Sequence, residues 1–110
     1  MRSWSGSEPL RRLQVLWSEH LAQPYPPLAD GDPKAQEIAF YASWVGSLVE
    51  AALAARGKLD ADRRLMLEVR RREGNQAVWA AAGGLGEPAR AFVGRLFAME
   101  DLLAELAEEP

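Results

Sequence analysis

Residues 38–55 read IAFYASWVGSLVEAALAA, a stretch in which Glu50 is the only charged side chain and small residues separate large apolar ones. On a helical wheel, Ile38, Tyr41, Ala42, Val45, Leu48, Val49, Ala52 and Leu53 share one side, and Trp44 and Ala55 widen it to about half the circumference. So broad an apolar arc needs cover from two or three neighbours, which predicts the central helix of a small bundle. Ala39, Ser43 and Ser47 recur at four-residue spacing, as do Ala42 and Gly46. These two rows of small side chains allow another helix to approach closely, from the same chain or from a second copy. Roughly 20 predominantly apolar residues are needed to cross a bilayer, and this shorter run with Glu50, Ser43 and Ser47 does not read as a membrane span.

Working outward, Asp32 and Pro33 supply an N-cap and a first-turn proline, while Gly57 after Arg56 supplies a stop, giving a helix over about 34–56. Upstream, Ser7, Glu8 and Pro9 open a helix over about 8–22 with Leu10, Leu13, Leu16, Trp17 and Leu21 on one face. The connector QPYPPLADGD at 23–32 is too rich in proline for helix and is expected to pack, pinned by Tyr25 and Leu28. Trp4 precedes the first cap and is expected to fold back onto the bundle, since a free indole forgoes apolar burial.

Downstream, Asp60 caps a third helix over about 61–82 with an interrupted stripe of Leu65, Val69, Gln76 and Trp79, flanked by Met66 and Leu67. Gly74-Asn75 offers a place to kink or break it, one helix with a weak middle being the expectation, and Gly83-Gly84 is expected to end it. Glu87-Pro88 opens a fourth helix over about 88–108, with Phe92, Leu96, Met99, Leu103 and Leu106 as a regular stripe. Phe97, Val93 and Ala104 lie on the other side of this helix and are expected to form an exposed apolar patch. The fold class that follows is all-α, an antiparallel up-and-down bundle of about four helices without sheet, forming one domain over 1–110 with free ends at 1–6 and 109–110.

The 110 residues are 48% hydrophobic, enough for one modest core. A net charge of -3 argues against coating nucleic acid through overall charge, and the absence of cysteine excludes thiol chemistry, disulfides and Cys-type zinc sites and suits a reducing cytoplasm. Residues 1–7, MRSWSGS, lack the apolar run of an export signal.

Catalytic chemistry is scarce. His20 is the sole histidine, so no histidine pair can hold a metal, and its place between Leu13 and Leu16 predicts a packed imidazole near a helix C-terminus. Glu50 falls on a polar strip with Ser43 and Gln36. Gly83-Gly84-Leu85-Gly86 follows a helix and lacks the Lys-Ser/Thr of a phosphate loop. No catalytic residue, metal or cofactor is expected.

Charge is segregated along the chain. Arg56, Lys58, Arg63, Arg64, Arg70, Arg71 and Arg72 outnumber Asp60, Asp62 and Glu68, whereas Glu100, Asp101, Glu105, Glu108 and Glu109 have no basic residue among them. Three arrangements suit this pattern: a solvated face, pairing of the basic third helix with the acidic fourth, or phosphate contact through Arg63, Arg64, Arg70 and Arg71.

Leu16-Trp17, His20-Leu21, Pro24-Tyr25-Pro26-Pro27, a long helix ending near Ala55-Arg56-Gly57 and a restart at Leu59-Asp60 together resemble a group of small uncharacterised bacterial all-helical proteins. The resemblance covers about the first half of the chain; it implies a helical fold and carries no activity, cofactor or site residue.

The expected function is therefore a non-enzymatic, cytoplasmic protein-interaction module (an adaptor, regulator or small complex subunit) that binds another protein or itself. Val93, Phe97 and Ala104 are its expected contact, rimmed by Arg70, Arg71 and Arg72. The alternative is a nucleic-acid accessory protein using the 56–72 basic segment, and a third class is a small-ligand carrier or enzyme with a pocket near His20, Tyr41 or Trp44.

Overall fold

A computed structural model describes residues 7–23, 26 and 31–108. The described residues form five helices and no strand: α1 (Glu8–Ala22), α2 (Pro33–Ala54), α3 (Ala61–Glu73), α4 (Gln76–Leu85) and α5 (Glu87–Glu108). The expected N-caps of the first three are present. Ser7 Oγ accepts from the Leu10 amide at 3.3 Å, Asp32 Oδ1 from Lys34 at 2.9 Å and Asp60 Oδ1 from Arg63 at 2.8 Å, each satisfying one amide left open by the first turn.

The expected third helix of about 61–82 is two helices. Gly74 adopts φ 81, ψ 178, a conformation open essentially to glycine alone, and ends α3. Asn75 then starts α4 without a side-chain capping bond. This break resets the register, so the stripe Leu65, Val69, Gln76 and Trp79 does not face the core. Leu67 is the one buried residue of α3, and Val78, Ala81 and Ala82 are those of α4. Gly83-Gly84 does not stop α4, which continues to Leu85; Gly86, at φ 99 and ψ -170, turns the chain into α5.

The expected packing axis also shifts. α2 does bury Ile38, Tyr41, Val45, Leu48, Val49 and Ala52, as its pattern requires. Yet α5 is the helix that every other one touches: α1 lies chiefly along it, α2 and α4 pack on it and on each other, and α3 meets it only slightly. The stripe Phe92, Leu96, Met99, Leu103 and Leu106 is buried, and so is Val93 on the other side of α5, at 0% exposure. A simple four-helix scheme gave α5 one core face. The break between α3 and α4 lets α4 cover a second.

The row Ala42/Gly46 on α2 receives α1 of the same chain, because a Cβ on Gly46 would lie 3.4 Å from the Trp17 ring. Leu21, expected on the buried face of α1, is 64% exposed, and His20 turns inward instead. Within the connector Pro26 is buried; Trp4, Tyr25 and Leu28 lie outside the described residues. The molecule measures 48 × 29 × 17 Å between its Cα extremes, a slab about two helices thick.

Candidate functional site

Two features at the α2–α3–α5 junction stand out: a buried carboxylate with its donors, and an apolar face beside it. Glu100 on α5 is 2% exposed, the one buried charged residue among those described. Its burial follows from position, one turn after Leu96 and three residues before Leu103 on the core stripe. A carboxylate taken out of water must be paired and hydrogen-bonded. Tyr41 on α2 donates its hydroxyl to Oε1 at 2.6 Å, Asn75 at the α3–α4 break donates Nδ2 to the same oxygen at 2.9 Å, and Arg71 on α3 donates Nη1 to Oε2 at 2.8 Å. Arg71 also reaches Asp101 Oδ1 at 3.1 Å. Three segments thus converge on one side chain of a fourth.

Arg70 completes the cluster. Its Nε donates to Asn75 Oδ1 at 3.0 Å, and its guanidinium lies 5.3 Å from the Tyr41 ring centre and 5.7 Å from that of Trp44, within cation–π range. Asn75 is bound at both ends of its amide, which explains why it makes no capping bond to α4. Burial, and after it the hydrogen bond to Glu100, raises the Tyr41 pKa well above its ordinary value. The phenol remains a donor to Glu100. A cleft of about 290 Å³ beside Asn75, Phe97 and Asp101 adjoins the cluster. Chemically the cluster is a clamp for the bend between α3 and α4.

The apolar face is on the neighbouring surface of α2 and α3. Phe40 is 74% exposed, Leu65 58%, Met66 49% and Val69 43%. Leu65, Met66, Val69 and the half-buried Trp44 line one shallow concavity of about 400 Å³, bordered by Arg70 and Glu73. Phe40 precedes Trp44 by one turn and extends the same side of α2. Trp79 on α4, 49% exposed, connects to this region through Phe97 and Tyr41.

The expected apolar patch of Val93, Phe97 and Ala104 is not exposed. Val93 is in the core, and Phe97 is half-buried, edge-on to Tyr41 at 5.6 Å and against Trp79 at 5.8 Å. Ala104 is half-buried on the floor of a groove of about 490 Å³ between α3 and α5. Of the expected rim, Arg70 is stacked and Arg71 is clamped, while Arg72 is exposed and paired with Glu68 at 3.0 Å. Of the arginines assigned to phosphate contact, Arg63 pairs with Asp60, and Arg70 and Arg71 belong to the clamp; Arg64 lines the α3–α5 groove. The pairing of basic and acidic helices is realised within one chain, through Arg71 with Glu100 and Asp101.

Of the remaining candidates, His20 is stacked on Trp17 at 5.9 Å and tilted on Phe92 at 5.0 Å, and its Nδ1 accepts from Arg95 Nε at 3.3 Å. Burial first, and the Arg95 charge second, lower its pKa. Glu50 is exposed, as its polar strip implied. Among the described residues no three acidic, His or Cys side chains gather to hold a metal, and no helix is long and apolar enough to cross a membrane.

Glu100 and Asn75 were missed by sequence reasoning, which counted Glu100 with the acidic tail by linear proximity. Its wheel position among Leu96, Met99 and Leu103 was the available signal. For Asn75 no sequence signal points to Glu100, 25 residues away. Compared with protein-family models, curated proteins and solved structures, the chain finds no match in any of the three.

Proposed function

We propose that this chain is a non-enzymatic protein-interaction module that binds another protein chain, a second copy of itself included, through the apolar face of α2 and α3. The observation that carries this reading is the concavity that Leu65, Met66 and Val69, all more than two-fifths exposed, form with Trp44, with the exposed Phe40 one turn before Trp44 on α2. Scattered single apolar residues are ordinary on a surface, but a contiguous patch with a charged border matches the anatomy of an interface core and rim. The border here is Arg70 and Glu73, one of each sign. A cysteine-free chain suits work in the reducing cytoplasm.

A nucleic-acid role draws less support. Arg70 and Arg71 are engaged inside the protein, and Arg63 is paired with its own helix cap. Size-exclusion chromatography with light scattering over a wide concentration range tests self-binding. The wild type is expected to associate as concentration rises, and the double variant Phe40→Ser, Val69→Ser to remain monomeric with its melting transition intact. A variant that associates as the wild type does sinks the assignment of this face.

A further inference from the structure

We propose that the partner is a second copy of this chain, and that the two molecules pair through the open side of α2, antiparallel about a two-fold axis at Ser47. This rests on the interaction reading above and names its partner and its geometry.

Helix α1 covers one side of α2, where Trp17 lies over Gly46, and α3 flanks another, where Arg70 stacks on Trp44. The side between them is open: Phe40, Ser43, Ser47, Glu50 and Ala54 are exposed, and Trp44 and Ala51 are half-buried. From Phe40 to Ala54 the only charge is Glu50, whereas the water-facing side of a helix ordinarily carries several. Exposed apolar side chains border this side on both flanks, Leu21 of α1 on one and Leu65, Met66 and Val69 of α3 on the other.

Shape and polarity together argue that the cover is the same surface of a second copy. The N-terminal half of the open side carries the large Phe40 and Trp44, and the C-terminal half the small Ala51 and Ala54. Parallel pairing sets aromatic against aromatic and leaves a gap between the alanines. Antiparallel pairing about Ser47, midway between Phe40 and Ala54, sets Phe40 against the partner's Ala54 and Trp44 against the partner's Ala51, twice over by symmetry. Such an axis keeps each flank of the face on its own side, so Glu50 meets the partner's Ser43, whose hydroxyl can donate to the carboxylate. Neither Glu50 nor Ser43 has a side-chain hydrogen bond or ion pair among the described residues. At the axis, Ser47 Oγ already donates to the Trp44 carbonyl of its own helix at 2.9 Å, so no donor is stranded there. Ser43, Ser47 and Ala51, each one turn apart, keep bulk out of the crossing, so the two helices approach to the short end of the usual interaxial range of about 8–10 Å. The face from Phe40 to Ala54 is about 21 Å long. An interface on one helix of that length is small and belongs with reversible pairs, not obligate ones.

A covalent trap suits a reversible pair, and the chain contains no cysteine, so single cysteines report the pairing without background. Ser43→Cys, Ser47→Cys, Ala51→Cys and, at an exposed position of α5, Glu105→Cys are oxidised separately, and disulfide-linked dimer is followed on non-reducing gels. Ser47→Cys is expected to cross-link at least about tenfold faster than Glu105→Cys, because a held pair reacts faster than a colliding one. Ser43→Cys and Ala51→Cys are expected to stay near the Glu105→Cys rate, since antiparallel pairing separates each from its own copy by about 12 Å along the helix, beyond the reach of a disulfide. Adding Phe40→Ser is expected to remove the advantage of Ser47→Cys. Equally fast cross-linking at 43, 47 and 51 means a parallel pair and overturns the proposal, and so does a Ser47→Cys rate no greater than that of Glu105→Cys. In that last case, wild-type association that Phe40→Ser, Val69→Ser abolishes keeps the apolar face and removes only the α2 pair. Association that the double variant leaves unchanged removes both.

Discussion

The Tyr41 hydroxyl on α2 lies 2.6 Å from Oε1 of Glu100 on α5, a bond between residues 59 positions apart and the shortest link in the buried cluster. Hydrogen bonds to an ionised group contribute about 1.5–3 kcal/mol, and a phenol shape without the hydroxyl leaves a carboxylate oxygen with one donor fewer. Tyr41→Phe is therefore expected to lower unfolding stability by about 1.5–3 kcal/mol, measured by urea titration of tryptophan fluorescence. Glu100→Ala leaves the Tyr41 hydroxyl and the Asn75 amide without their acceptor, while Arg71 keeps Asp101, and each buried donor left unsatisfied costs about 1–3 kcal/mol. A smaller loss for Glu100→Ala than for Tyr41→Phe contradicts the clamp.

The same bond sets a response to alkali. The folded-state pKa of Tyr41 is raised, by burial first and by Glu100 second, above an unfolded value of about 10. In the unfolded chain the phenol ionises as pH passes about 10, while the folded chain holds its proton, so stability is fully present below about pH 10 and falls above it. Tyr41→Phe is expected to flatten that fall. Urea midpoints at pH 9 and pH 11 for both proteins check it, and an equal decline in both counts against it.

His20 responds on the acid side. Its folded-state pKa is lowered by burial and then by Arg95, below an ordinary value of about 6.5. The unfolded chain therefore binds a proton first as pH falls, and the stability present above about pH 6.5 diminishes below it. An NMR titration of the imidazole is expected to show a midpoint below that of an unstructured peptide. A midpoint at or above the peptide value refutes the packed, neutral imidazole.

Backbone conformation makes a further prediction at the end of α2. Arg56 adopts φ 56 and Gly57 φ 92, and a Cβ at Gly57 would lie 3.2 Å from Leu106 Cδ2. Left-handed backbone costs an L side chain about 1–2 kcal/mol. Gly57→Ala is expected to destabilise by at least that amount, and Arg56→Gly to be neutral or mildly stabilising, as thermal melts would register. Comparable losses at both positions would contradict the described turn.

Exposed and buried apolar residues should separate cleanly. Phe40→Ser, at a 74% exposed position, is expected to change stability by no more than about 0.5 kcal/mol. Leu103→Ala, at 0% exposure, is expected to cost about 2–5 kcal/mol. Chemical denaturation of the two variants gives the comparison directly.

Local signals in the amino-acid sequence determined the helices themselves. Ser7, Asp32 and Asp60 cap where short polar side chains precede apolar periodicity, and the stripes of α2 and α5 are buried as their spacing requires. Capping and periodicity are properties of neighbours in the chain, and so they are legible there. Only the tertiary structure decided that α5 is the common axis, that Gly74 breaks the third helix and that Val93 and Phe97 turn inward. The physical reason is that a residue on a second apolar face is exposed or buried according to what lies over it. What lies over α5 is α4, freed to pack there by the bend. Glu100 belongs to the same class: its charge is compensated by Tyr41, Arg71 and Asn75, partners 59, 29 and 25 residues away, and only the folded chain brings them to one carboxylate.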